Sequence, residues 1–426
     1  MYEKCGIFGI VSNTETMPIL FEGLKKLQHR GQDGCGIGYV EKDELRIVKK
    51  MGLVTNLTEY ASSLKSYSSI GHVRYATSSK KQCIEELQPL ESKNFLLVHN
   101  GNIPFCKDIH DTTYLRNFIE SYKNIETGLI ELVNTISGVY NLLLLTKECI
   151  YIVKDRYGFR PLCLTQTPNS LCVMSENIAY PESKLLREIE PGEIVKITSY
   201  HSYETLYKYD KQKEHKFCIF ENIYFMNPRT IRYDTSVKDF RENLGSLLAK
   251  QETLQFTNDY IVVGVPRSGI FSGKSYAQTL KLPYEQFILK HENVNRSFIE
   301  PTQEKRKQVL RKKFMFKNVP KKIIVVDDTI VRGNTMQKLI ELLKERGAEE
   351  IHVRIPAPSV VSECFYGVDI ATKHELLTYN KSLEDMEKYL NVDSLRFIVD
   401  FPKHYSEKKY CMGCFTNNHN KKLLEW

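Results

Sequence analysis

The sequence predicts two domains of different class, a strand-rich α+β half followed by a doubly wound α/β half with a parallel sheet. Three observations predict this. The chain has 426 residues, which suggests two or three domains at roughly 100–200 residues each. Residues 1–200 carry short apolar or alternating runs punctuated by Gly, Asn and Pro, the pattern of strands and turns. Beyond about residue 216, strand-like and helix-like runs alternate, which indicates a parallel sheet with flanking helices.

In chain order, the first half reads as strands at 5–11, 36–39, 95–98, 140–146 and 150–153. Helical patterns interrupt them at 18–27 and 113–122. Residues 199–216 are polar, charged and tyrosine-rich with little apolar periodicity. The boundary therefore falls there, giving domains at 5–210 and 217–415. The second half reads as helix 236–251, strand 260–265, helix 273–279, strand 323–326, helix 334–346 and strand 351–355. From about residue 373 the tail reads as helical and polar, with a cysteine pair near its end.

Apolar residues make up 42% and charged residues 26%, the ordinary soluble range, which excludes a fibrous or disordered chain. No apolar run reaches the ~18 residues that a bilayer span needs, and the start lacks the apolar core of a secretory signal. Net charge is +8, as suited to an enzyme of anionic small molecules as to a nucleic-acid binder. The 11 cysteines are odd in number and irregularly spaced, which argues for reduced thiols in a cytoplasmic protein rather than a disulfide framework.

The sharpest local signal follows the strand at 323–326. It ends in Asp327-Asp-Thr-Ile-Val-Arg-Gly-Asn-Thr335. In an open α/β sheet, ligands bind beyond the carboxyl ends of the strands. Gly333 lets backbone N–H groups approach a phosphate, and the helix N-terminus favours its charge. Asn334 and Thr335 continue that loop, and Asp327 and Asp328 can hold sugar hydroxyls or Mg²⁺. The pattern resembles the phosphoribosyl pyrophosphate (PRPP) signature of the type I phosphoribosyltransferases. By that resemblance the acids engage the ribose and the loop binds the 5-phosphate. The turn Pro266-Arg-Ser-Gly269 can meet pyrophosphate or metal through Ser268, and the basic segment 305–313 can cover a polyphosphate.

A second set lies in the first half. Cys5 directly precedes a strand in Cys5-Gly-Ile-Phe-Gly-Ile10. Gln28-His-Arg-Gly-Gln-Asp33 and Gly71-His-Val-Arg-Tyr-Ala-Thr77 follow, then His99-Asn-Gly-Asn-Ile103. A turn there can aim the Asn100 amide and the Gly101 N–H at one oxyanion. Arg74 suits a carboxylate, and Asp111 an ammonium. These segments resemble the class II (N-terminal nucleophile) glutamine amidotransferases, whose fold is a four-layer αββα arrangement. In that family the cysteine is the first residue of the mature chain, so the resemblance implies removal of residues 1–4.

Both halves together resemble the glutamine PRPP amidotransferases, from Cys5 to about Phe415. That resemblance implies glutamine and PRPP as substrates, Mg²⁺ at Ser268, Asp327 and Asp328, purine nucleotide inhibitors and a homo-oligomer. It implies no nucleic-acid or membrane partner. Cys411-Met-Gly-Cys414 joins Cys218 and Cys364 in the same half. Spacing alone leaves zinc and iron–sulfur open. The resemblance to one family branch implies a structural [4Fe–4S] cluster on these four, with the other cysteines as packing residues. The chain departs from the family pattern at Asn227, Arg229, Arg267, Glu292, Thr329 and Asn334. The changes at Asn227, Arg229, Arg267 and Glu292 leave room for a paralogous amidotransferase with another phosphoribosylated acceptor, and the four residues before Cys5 for an immature PRPP- or nucleotide-binding regulator.

Overall fold

The computed structural model describes residues 5–61, 63–75, 84–106, 109–210, 215–290, 314–370, 372–402, 405 and 407–419. The first half holds two antiparallel sheets. One has seven strands, ordered Lys184–Glu188, Cys163–Thr167, Ser170–Met174, Gly6–Ser12, Ser68–Arg74, Gly34–Glu41, Glu44–Met51. The other has six, ordered Ser202–Lys208, Glu193–Ser199, Ile150–Lys154, Val139–Leu145, Leu96–Asn102, Leu90–Glu91.

The apolar runs are continuous because these strands are buried on both faces. Side chains alternate along a strand. In Gly6–Ser12, Phe8 and Ile10 enter one core and Ile7 another. In Val139–Leu145, Tyr140, Leu142 and Leu144 face outward into helices, while Leu143 and Leu145 face the opposite sheet. Helix Met17–Lys26 packs Met17, Leu20, Phe21 and Leu24 onto the outer face of the seven-stranded sheet. Helices Asp111–Glu120 and Ile125–Thr135 cover the six-stranded one. The inner faces meet through Ile7, Ile70, Leu96, Val98, Leu143 and Ile152. The order is helix, sheet, sheet, helix, as the resemblance implies.

Three expectations need correction. Helix Ile125–Thr135 was not foreseen, although Asn124 caps it by accepting from the Glu126 and Thr127 N–H groups and apolar residues recur at 125, 129, 132 and 133. Residues 199–216 are not all linker, since Ser202–Lys208 is an exposed edge strand of the six-stranded sheet. One wetted face hides the periodicity there, while Leu206, Tyr207 and Tyr209 still pack inward. The tail is not simply helical. It contains helix Leu383–Leu390 with a Ser382 capping box, then strand Ser394–Phe397.

The second half carries a four-stranded parallel sheet in chain order, Tyr260–Gly264, Lys322–Val326, Glu350–Ile355, Ser394–Phe397. Helices Val237–Lys250 and Gly269–Leu280 pack against each other, and Gly269–Leu280 lies on the first two strands. One core of Val262, Val263, Ile324, Val325, Leu339, Val353 and Leu395 runs through the half. No helix among the described residues is long and apolar enough to cross a membrane.

Candidate functional site

Strand parity assembles the first candidate site. Ile7, Ile70 and Val98 face the space between the two sheets. Cys5, Arg74 and Asn100 lie two or four residues from them, so they share those inward faces. Gly6 pairs with Val73, which sets Cys5 level with Arg74 on the neighbouring strand. Cys5 is buried. Its Sγ accepts the Tyr75 N–H at 3.5 Å, and its carbonyl accepts Arg30 Nε at 3.1 Å. Arg74 is buried and pairs with Glu86.

Asn100 and Gly101 do not sit in a turn. They belong to strand Leu96–Asn102, opposite Asn141 and Tyr140. The partner strand extends to Val139, opposite Asn102, so the ladder carries the polar residues to the strand end. Both polar atoms of the buried Asn100 amide lack a hydrogen-bond partner among the described residues. Such an orphan costs roughly 1–3 kcal/mol, a cost that a ligand at this point offsets.

Asp111 opens helix Asp111–Glu120. His99 Nδ1 lies 3.7 Å from its carboxylate and His110 Nδ1 3.4 Å. Burial lowers the His99 pKa despite Asp111. Burial, with Arg74, His99 and His110 nearby, pushes His72 well down. Both shifts favour the neutral rings, and the Asp111 carboxylate also accepts the Thr112 N–H at 2.7 Å. Sequence reasoning singled out none of these three histidines, although two lie inside the quoted motifs.

The second candidate site lies at the carboxyl ends of the parallel strands. Lys322–Val326 runs into Asp327 and Asp328. Asp328 is buried. Ser268 Oγ donates to its Oδ1 and Thr329 Oγ1 to its Oδ2, the latter at 2.7 Å. The Asp328 N–H donates to Asp327 Oδ1 at 2.9 Å. Ser268 stands at the N-cap position of helix Gly269–Leu280, its hydroxyl turned to Asp328 rather than to the helix. A Cβ on Gly269 would lie 2.5 Å from the Val326 carbonyl oxygen, so only glycine lets this helix start against the strand end. Gly333, at φ 81°, precedes helix Asn334–Lys344, a left-handed conformation that glycine adopts without strain. Asn334 Oδ1 accepts the Tyr389 hydroxyl at 3.1 Å. Two helix N-termini and two carboxylates thus meet at one sheet end, an arrangement suited to phosphate and sugar together. Arg267 is exposed. The covering segment 305–313, Glu292 and residues 1–4 lie outside the described residues.

Four cysteines adjoin where the halves meet. Cys218 and Cys411 sit in register on the parallel pair Phe217–Cys218 and Tyr410–Cys411. Cys414 lies in Gly413–Thr416, and its carbonyl accepts the Val361 and Ser362 N–H groups. The Tyr366 N–H donates to Cys364 Sγ at 3.3 Å. Burial pushes the Cys218 thiol up to about 12, with Arg160 opposing and Cys364 adding. Burial with Cys218 and Cys364 pushes Cys411 up, and burial with the other three thiols pushes Cys414 up. Thiols that shift one another are close neighbours, and Arg160 with the backbone N–H groups offers compensation to thiolates. Among the described residues no three His, Cys, Asp or Glu side chains already meet at one ion-sized point. Cys35, Cys163 and Cys172 pack in the core under helix Met17–Lys26 and Cys149 in that of the six-stranded sheet. Cys106 packs at the edge of the latter. Cys83 lies outside the described residues.

Residues 237–357 match the phosphoribosyl transferase domain family. The chain is 31% identical to the amidophosphoribosyltransferase of Bacillus subtilis over 99% of its own length and 95% of the relative's. It is 34% identical to that of Staphylococcus epidermidis, covering 100% and 92%. The chain belongs to the amidophosphoribosyltransferase family. Its fold agrees with this. The solved glutamine PRPP amidotransferase from B. subtilis, complexed with ADP and GMP, superposes with a TM-score of 0.86 at 31% identity, covering 97% of each chain. A solved structure of the allosteric regulatory enzyme of purine biosynthesis gives a TM-score of 0.87 at 31% identity, covering 97% of this chain and 96% of the other.

Asn227 and its neighbour Thr230 contact Glu176 of the first half. The Asn227 N–H donates to Glu176 Oε2 at 2.8 Å, and the Thr230 hydroxyl donates to the same oxygen. These residues tie the second half to the first. Arg229 is exposed.

Proposed function

We propose that this chain transfers the amide nitrogen of glutamine to PRPP, giving 5-phosphoribosylamine, glutamate and pyrophosphate, the first step of purine synthesis. Full-length membership of the amidophosphoribosyltransferase family carries the reading. The residue roles below are our assignment, over domains at 5–210 and 217–415.

The Cys5 thiolate attacks the glutamine side-chain carbonyl. The Asn100 amide and the Gly101 N–H hold the oxyanion, and the orphaned Asn100 amide supports that role. Arg74 holds the substrate carboxylate by exchanging its Glu86 contact, and Asp111 holds the ammonium. The C–N bond breaks, ammonia leaves with a proton, and water cleaves the thioester to glutamate. The base is the α-amino group of Cys5, with an unperturbed pKa near ~7.7–8.0. This requires removal of residues 1–4, which an intact mass checks.

In the second half, Asp327 and Asp328 take the ribose hydroxyls, and Gly333, Asn334 and Thr335 take the 5-phosphate. Ammonia forms the C–N bond at the anomeric carbon as the C–O bond to pyrophosphate breaks, and it then loses a proton. The buried Asp328 carboxylate beside Ser268 fits Mg²⁺, a hard cation that takes oxygen donors. Ser268, Asp327 and Asp328 would hold it, and it would offset charge on the leaving pyrophosphate.

The cysteine group fits a [4Fe–4S] cluster on Cys218, Cys364, Cys411 and Cys414, which would tie the tail to the rest of the chain. Purine nucleotides are the proposed inhibitors, a reading supported by the ADP and GMP of the B. subtilis structure. A cytoplasmic homo-oligomer completes the proposal. The test is Cys5→Ala. It should abolish glutamine-dependent phosphoribosylamine formation and keep the ammonia-dependent reaction. Loss of both would contradict the division of labour.

A further inference from the structure

Cys5 is held by a cation that is itself held by an acid from the other half of the chain. Arg30 Nε donates to the Cys5 carbonyl at 3.1 Å. The two terminal nitrogens of Arg30 grip Glu221 as a fork, Nη2 to Oε1 at 2.9 Å and Nη1 to Oε2 at 3.1 Å. Nη1 also reaches Glu176 at 2.7 Å. Arg160 donates to Glu221 Oε1 at 3.3 Å and to the Tyr366 carbonyl at 3.0 Å. All four charged side chains are at most 1% exposed.

A bidentate carboxylate fixes the plane of a guanidinium as well as its position. Glu221 therefore sets the direction in which Arg30 Nε points. Glu221 is itself braced. It opens the π-helix Glu221–Phe225, and the carbonyls of Asn222 within it and Met226 just after it each accept Arg241 at 2.9 Å. Arg241 is a buried residue of helix Val237–Lys250.

We infer that Glu221 is a positioning residue for the Cys5 nucleophile, supplied to the glutaminase by the transferase half. It touches no substrate and acts through Arg30. Without its charge, the guanidinium turns on Glu176 alone and releases the Cys5 carbonyl. The thiol then leaves its line of attack, and the lesion is confined to the glutamine step. This inference rests on the amidotransferase reading above.

The test uses the full-length matured enzyme and Glu221→Gln, which keeps the shape and removes the charge. The kcat and KM for glutamine hydrolysis are measured beside the kcat for ammonia-dependent pyrophosphate release. We expect the glutamine kcat to fall at least about tenfold, with glutamine KM and the ammonia reaction within about twofold. A parallel fall in both activities would mark a merely structural residue and overturn the inference. So would an unchanged glutamine kcat. If the Gln variant is insoluble, Glu221→Asp carries the same comparison with the same outcomes, since it withdraws the carboxylate by one methylene. A wild type that releases pyrophosphate with neither donor would bring down the amidotransferase reading and this inference with it.

Discussion

Asn100 shows how much can turn on one side chain. It is buried, and neither end of its amide is bonded among the described residues. Removing the side chain forfeits no hydrogen bond among the described residues but takes away the proposed oxyanion donor. Asn100→Ala should lower the glutamine kcat by about 10²–10³ without lowering the melting temperature. Wild-type activity in that variant would remove Asn100 from the site. Glu176 makes a different prediction. Burial raises its pKa, but His29, Arg30 and Thr230 outweigh burial and hold it far below the usual carboxylate range of 4.5. A depressed folded pKa gives stability that is present above the unfolded value and lost as pH falls toward the folded one. The stability advantage of wild type over Glu176→Gln should thus be full above about pH 4.5 and shrink below it, as denaturation at several pH values would reveal. At this scale the sequence singled out Cys5, Arg74, Asp327 and Asp328 because each stands in a short motif. Glu176 and Glu221 were not legible as partners of Arg30, since they lie 146 and 191 residues from it and nothing local links them.

The elements were legible where burial is one-sided or complete. Strand Lys322–Val326 and helix Asn334–Lys344 fall within two residues of expectation. Edge strand Ser202–Lys208 was missed because its exposed face is polar, and Ser394–Phe397 because four residues hold too little pattern. The Asn100 turn was misread because strand ends carry polar residues whenever a partner strand continues past them. Two glycines supply the element-scale prediction. Gly333→Ala places a Cβ at φ 81°, costing about 1–2 kcal/mol, and crowds Leu377 at 3.1 Å. Gly269→Ala meets the Val326 carbonyl and should destabilise by about 1–3 kcal/mol. Urea titrations should show both losses. A neutral Gly269→Ala would mean that the helix start is not pressed on the strand.

At the scale of the whole molecule, buried charge joins the two halves, and four thiols gather beside it. Arg160 touches both devices, through Glu221 and through its proximity to Cys218 and Cys364. Cys411→Ser should strip bound metal and lower the melting temperature of the whole chain. Anaerobic wild type should contain iron and sulfide in about equal amounts, near four of each per chain. One zinc per chain would replace the cluster by a single-ion site. The two-domain division and both chemistries were readable from motifs, but the inter-half contacts were not, because they join residues with no common pattern. The central claim is that one chain releases ammonia at Cys5 and spends it on PRPP at Asp327 and Asp328. PRPP-dependent pyrophosphate release, with glutamine and separately with ammonia, on anaerobically purified protein, tests this most directly. Release with both donors is the predicted result. Release with neither would contradict the account.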